Sequence, residues 1–130
     1  MSKNITCIIV DDDELDRIAT VAQVMKFPKI HVLGIFSDAQ KAMEEIQLHQ
    51  PDIIFLDIDM PGLNGLELRR RLQEIPACVF ITSYPDYALD AFEVEALDFI
   101  VKPVRSERFA QTISRIENYL TLRFKAHILD

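Results

Sequence analysis

The chain has 130 residues, 49% hydrophobic and 27% charged, the size and balance of one globular domain with a real core. Its formal net charge is -7, which excludes a sequence-independent grip on a nucleic-acid backbone by this domain. With 3 Gly and 6 Pro and no internal repeat, it holds neither a flexible linker nor a solenoid.

From the N-terminus, Ile5 to Val10 is a short β-rich run that stops at Asp11. Glu14 to Lys26 carries Leu15, Ile18, Ala22 and Met25 at helical spacing, and Pro28 ends it. Ile30 to Phe36 reads as a second strand, and Asp38 to His49 as a helix capped by Ser37 or Asp38. Ile53 to Leu56 is a third strand, ending at Asp57. Met60-Pro-Gly-Leu-Asn-Gly65 is a loop by its turn chemistry. Leu66 to Glu74 follows as a helix with Leu66, Leu68 and Leu72 apolar, and Ala77 to Ile81 is a fourth strand. Pro85 to Val94 reads as a helix of weak propensity, and Leu97 to Val101 as a fifth strand. A last helix runs from Glu107 to about Ala126, with Phe109, Ile113, Ile116 and Leu120 in one stripe. Tyr119, Leu122 and Phe124 lie off that stripe, on the start of a linker or a dimer surface, or on a frayed chain end.

Strand and helix alternate five times, and the strands are apolar throughout, as when both faces of a parallel sheet are covered. Right-handed crossovers then give a five-stranded, doubly wound α/β domain. Cys7 and Cys78 sit inside apolar runs as small core residues. The first apolar run is too short for a signal peptide, and no run approaches the ~18 residues of a membrane span. A reducing, cytoplasmic location is the expectation, with no membrane contact.

In such a sheet ligands bind beyond the carboxyl ends of the strands. The first strand ends in Asp11-Asp12-Asp13, the third in Asp57, the fourth in Thr82-Ser83 and the fifth in Lys102-Pro103. Singly, each is ordinary: strand-end acids cap turns or serve helix dipoles, and Lys-Pro makes turns. Together they bring carboxylates, a hydroxyl and a lysine to one rim. Crowded carboxylates repel, and a hard divalent cation removes the conflict; Mg²⁺ takes one or two carboxylates plus phosphate oxygens. His31, His49 and His127 share no motif, which argues against zinc or iron. A carboxylate beside Mg²⁺ is a nucleophile toward a phosphoryl group, with Lys102 supplying charge and Thr82 a hydrogen bond.

The motifs IIVDDDE, IIFLDIDMPGLNGLEL, FITSY and LDFIVKPV, in this order, resemble the response-regulator receiver family over about residues 5 to 120. The resemblance implies a flavodoxin-like sheet of order 2-1-3-4-5, for which a member of this family is a standard example. It implies that Asp57 accepts a phosphoryl group, that Asp11 and Asp12 form the acidic pair, and that Asp12 and Asp57 bind Mg²⁺ by side chain. Asp59 would bind through its backbone carbonyl and Asp11 through a water. The run of three acids leaves Asp12 and Asp13 as the alternative pair.

Thr82 and Phe99 match the family's switch pair, though Phe99 lacks a phenolic hydroxyl, and a ring buried there also serves as plain core packing. The resemblance further implies a cis peptide between Lys102 and Pro103, a sensor histidine kinase as partner, and a phosphoacceptor rather than a turnover enzyme. The segment YPDYALDAFEVEALDFIVKPV is similar to receivers joined to LytTR-type DNA-binding domains. On this reading residues 1–122 are the receiver, and 123–130 are the end of its helix or the start of a linker to an output domain. A homodimer is open. Two other readings compete. One is a receiver-like interaction module that is never phosphorylated. The other is a haloacid-dehalogenase-like phosphatase with Asp57-Ile58-Asp59 as its D-x-D, although that motif usually follows the first strand. Nucleotide binding lacks a Gly-rich phosphate loop.

Overall fold

Each short apolar run forms a strand and each amphipathic stretch a helix in the computed structural model, which describes residues 4–129. In chain order these are β1 (Ile5–Val10), α1 (Glu14–Val24), β2 (Ile30–Phe36), α2 (Ala39–His49), β3 (Ile53–Leu56) and α3 (Gly65–Arg71). Then come β4 (Ala77–Thr82), a 3-10 turn (Pro85–Tyr87), α4 (Ala88–Glu93), β5 (Asp98–Val101) and α5 (Ser106–Leu129). All neighbouring strands pair in parallel, in the order β2-β1-β3-β4-β5.

The two-residue period of the strands splits the core into two layers. Ile8, Val10, Ile54, Leu56, Cys78 and Phe80 point to one face, where they meet Ala42 and Ile46 of α2, Leu66 and Leu68 of α3, and Ala91 of α4. Cys7, Ile9, Ile53, Phe55, Val79, Ile81 and Ile100 point to the other, against Val24 of α1 and Phe109, Ile113 and Ile116 of α5. Burial on both faces is why the strands read as unbroken apolar runs. The two free cysteines fall in opposite layers, and burial pushes both thiols up to about 12, so they act as packing groups.

The cap of α2 is Asp38, whose side chain accepts from Gln40 N. The stretch after β4 divides into the 3-10 turn and a short α4 because Pro85 opens it and no side chain caps α4. The apolar stripe that marks α1 in the sequence is the one it exposes. Leu15, Ile18, Ala22 and Met25 face outward, while Thr20 and Val24 are buried, with Val21 and Phe27 packed beside them. Both stripes hold apolar residues at helical spacing. Tertiary packing decides between them, since Phe27 lies against Phe109 with ring centroids 6.0 Å apart.

Two further devices fix the helices on the rim side. Gly65, the first residue of α3, lies so close to the Asp57 carbonyl that any β-carbon would overlap it, and its N–H donates to Ile58 O at 2.9 Å. Buried Arg69 of α3 donates to the carbonyls of Leu72, Ile75, Val94 and Glu95, tying the end of α3 to the turn after α4. Helix α5 continues past residue 122 to Leu129. Among the described residues no helix is long and apolar enough to cross a membrane.

Candidate functional site

The carboxyl ends of β1, β3, β4 and β5 lie side by side in the sheet, so their terminal residues are neighbours by register. Val10 pairs with Leu56, Leu56 with Phe80, and Thr82 with Val101. Asp11, Asp57 and Lys102 each stand one residue beyond these strands, and Thr82 closes β4.

Carboxylate oxygens of Asp11, Asp12 and Asp57 all lie within 4.8 Å of one another. Asp11 and Asp57 are buried and Asp12 is exposed. The third acid of the run, Asp13, is occupied otherwise: it caps α1 by accepting from Asp16 N at 2.9 Å. Geometry therefore groups Asp11 and Asp12, not Asp12 and Asp13, with Asp57. Each buried carboxylate is oriented by one backbone bond, Asp11 Oδ1 accepting from Asp13 N at 3.0 Å and Asp57 Oδ1 from Ile58 N at 2.7 Å.

Lys102 Nζ reaches past the end of β4 to the ends of β3 and β1. It lies 2.9 Å from Asp11 Oδ2, 2.8 Å from Asp16 Oδ2 and 3.4 Å from Asp57 Oδ2. Burial alone would lower its pKa, but these carboxylates overturn that and hold it raised. Asp57 shifts upward too, to about 6; burial is the main cause and the Asp11 charge the second, with Lys102 and the Ile58 N–H opposing them. One ammonium thus does not neutralise the buried acids. A hard cation would, and the all-oxygen donor set suits magnesium rather than zinc or iron.

Thr82 is buried, and its hydroxyl oxygen accepts from Tyr84 N at 3.3 Å, which leaves its proton to donate. The Lys102–Pro103 peptide is cis. Phe99 is half-buried beside the core layer of α2, α3 and α4, and its carbonyl accepts from Arg108. Asp59 stays outside the cluster of three acids; it is exposed, and its carboxylate accepts from Tyr87 O–H at 3.0 Å.

Sequence reasoning missed two groups at this rim. Asp16 was readable in principle, because it lies in the first turn of the helix that leaves the acidic run. Tyr87 gave no signal, since its reach to Asp59 depends on the path of the 3-10 turn.

The chain belongs to the response regulator receiver domain family, whose model matches residues 7–114. It is 38% identical over 122 residues to an uncharacterized response regulatory protein of Yersinia pestis, covering 92% of this chain and 51% of that one. It is 39% identical over 111 residues to the sensory transduction protein LytT of Bacillus anthracis, covering 83% of this chain and 45% of LytT. The response regulatory domain of protein mrkE from Klebsiella pneumoniae has the same fold, with a TM-score of 0.79, 30% identity and coverage of 91% and 97%. The chain spans about half the length of the curated relatives it matches. Receiver domains of this family serve two-component signalling, normally hold Mg²⁺ in an acidic pocket, and are generally signalling proteins rather than turnover enzymes.

Proposed function

We propose that this domain is a phosphorylation switch in which Asp57 accepts one phosphoryl group, in a Mg²⁺-dependent reaction, from a phosphohistidine of a sensor kinase or from a small phosphodonor. The observation that carries the reading is a buried Asp57 carboxylate set between two further acids and a lysine whose side chain is 9% exposed.

A carboxylate oxygen of Asp57 attacks phosphorus in line, and the new O–P bond replaces the donor's P–N bond, whose electron pair returns to the imidazole nitrogen. The Ile58 N–H fixes the plane of the nucleophile. Asp12 and Asp57 by side chain, Asp59 by its carbonyl and Asp11 through a water would hold the magnesium. When bound, it supplies the positive charge that offsets the crowded acids and the phosphoryl oxygens. Lys102 pairs with a phosphoryl oxygen, and the Thr82 hydroxyl donates to another. Drawing Thr82 toward the phosphate opens space that the Phe99 ring fills, which carries the change to the surface.

The relatives are about twice as long, which fits a receiver within a longer protein; the similarity to LytT fits our proposal of a DNA-binding output domain, a cytoplasmic site of action and signalling by a change of partner or by homodimerisation. The full complement of acids, hydroxyl and lysine weighs against a receiver that is never phosphorylated. Among the described residues no observation favours the phosphatase reading, in which Asp59 would be a general acid; its carboxylate instead accepts from Tyr87.

The test is intact-mass measurement after incubation with acetyl phosphate and Mg²⁺. The expected result is a gain of one phosphoryl equivalent, lost in Asp57→Asn and without the metal. Unchanged labelling of Asp57→Asn would move the acceptor elsewhere, and continuous turnover of phosphate monoester would make the protein a phosphatase.

A further inference from the structure

Lys102 Nζ is held about equally by Asp16, at 2.8 Å, and Asp11, at 2.9 Å, and lies farther from Asp57, at 3.4 Å. Asp16 stands on α1, outside the group of three carboxylates. Its backbone is fixed, because its N–H is the one that Asp13 caps. Its side chain is 40% exposed and has Lys102 as its hydrogen-bond partner, whereas Asp11 and Asp57 each also accept a backbone N–H. A carboxylate in the first turn of a helix is further favoured by the helix dipole.

The ammonium is therefore shared between two uses. Placed on Asp11 and Asp57, it occupies oxygens that a cation bound by those acids needs. Shared with Asp16, it is drawn toward α1 and away from Asp57, close to where a phosphoryl oxygen on Asp57 would call it back. Only Asp16 offers Lys102 a site that costs the pocket none of its ligand oxygens.

We infer that Asp16 is a positioning residue that shares Lys102 with Asp11 and draws it off Asp57 in the unphosphorylated protein, so that the ammonium competes less with a divalent cation for the buried acids. This rests on the reading of Asp57 as a metal-dependent phosphoacceptor. Without Asp16 the lysine settles on Asp11 and Asp57 and competes with the metal for them. Asp16 also carries a charge that attracts the metal through space, so its action through Lys102 has to be separated from that attraction.

The experiment is calorimetric titration of the whole chain with MgCl₂, for the protein with its native Asp16, Asp16→Asn and Asp16→Glu, each with Lys102 and with Lys102→Ala. With Lys102 present, Asp16→Asn should weaken Mg²⁺ binding about threefold, the scale of a half-exposed ion pair. With Lys102→Ala the same substitution should cost less than about 1.5-fold, because screened attraction alone remains. Asp16→Glu, which keeps a carboxylate able to take the lysine, should restore most of the affinity in the Lys102 background. Equal losses in the two backgrounds, or no loss in either, would overturn the inference. If the protein with neither substitution binds no Mg²⁺ and gains no phosphoryl group from acetyl phosphate, the phosphoacceptor reading itself has failed instead.

Discussion

The backbone N–H of Lys102 donates to the carbonyl of Thr82 at 2.8 Å, so the hydroxyl and the ammonium of the rim hang from consecutive rungs of one strand pair. This bond ties the end of β4 to the residue that faces Asp57. The two groups are joined by this hydrogen bond, although the 3-10 turn, α4 and β5 separate them in sequence.

Lys102→Ala should keep Mg²⁺ binding and lose the signal. The variant leaves Asp11 and Asp57 buried without their shared cation. In chelator it should be less stable by about 2–4 kcal/mol, the scale of breaking a buried ion pair. Mg²⁺ should recover part of that loss by binding only the folded form. Urea unfolding with and without the metal measures both effects. Phosphorylation-dependent dimerisation or partner binding should be impaired, and a normal response from this variant would count against the role of the lysine.

Asp57→Asn should stabilise the metal-free protein near neutral pH. The folded Asp57 carboxyl is raised to about 6, chiefly by burial and then by Asp11, against about 3.9 for an unfolded Asp. Between those values the folded chain holds a proton that the unfolded chain has released. The contribution of Asp57 is therefore favourable at low pH and is lost as pH rises through this window. Removing the charge should gain about 1–3 kcal/mol at about pH 7.5 and much less at about pH 4. Urea midpoints in chelator at both pH values decide it, and a loss of stability at pH 7.5 would show that the acid is not under strain.

Much of this arrangement was legible in the chain because strand ends are punctuated by charge. Asp11, Asp57, Thr82 and Lys102 each follow an unbroken apolar run, and in a parallel sheet such residues share one edge. What could not be read depends on packing between elements. The burial of Arg69 follows from four carbonyls contributed by two stretches of chain, and the close approach of Gly65 follows from how α3 docks on the Asp57 loop. The buried face of α1 could not be read because Leu15, Ile18, Ala22 and Met25 make as good a periodic stripe as the residues that are buried. Periodicity finds a helix without saying which of two apolar faces meets the core.

Substitutions on the two faces of α1 should therefore diverge. Leu15 and Ile18 are 77% and 56% exposed, and Val24 is fully buried. Leu15→Gln and Ile18→Gln should each change stability by less than about 0.5 kcal/mol, as surface substitutions do. Val24→Ala should cost about 1–2.5 kcal/mol from lost burial and the cavity left behind. Thermal or urea unfolding of the three variants checks this. The reverse order would put the stripe marked in the sequence against the core.

Asp98→Asn should destabilise the protein in a pH-dependent way of opposite sign to Asp57→Asn. Asp98 opens β5 with its carboxylate buried, and it accepts from Arg108 at 2.7 and 3.0 Å, from Thr112 at 2.7 Å and from Arg115 at 3.2 Å. Burial pushes its pKa up, but Arg108, Thr112 and the Phe99 N–H together outweigh that and hold it lowered. A lowered acid contributes stability above the unfolded value of about 3.9 and loses it as pH falls through the folded value. Both arginines reach solvent, so water screens part of the attraction, and the expected cost at about pH 7 is about 1–2 kcal/mol. The gap to the native protein should narrow below about pH 4, where the unfolded chain takes up the proton that the folded carboxylate still refuses. Arg108 also holds the Phe99 carbonyl, so the variant should loosen β5 where the proposed switch residue sits. Denaturation at the two pH values measures the first effect, and amide hydrogen exchange at Phe99 and Ile100 measures the second. A gap as wide in acid as at neutrality would mean that the carboxylate acts by shape and not by charge.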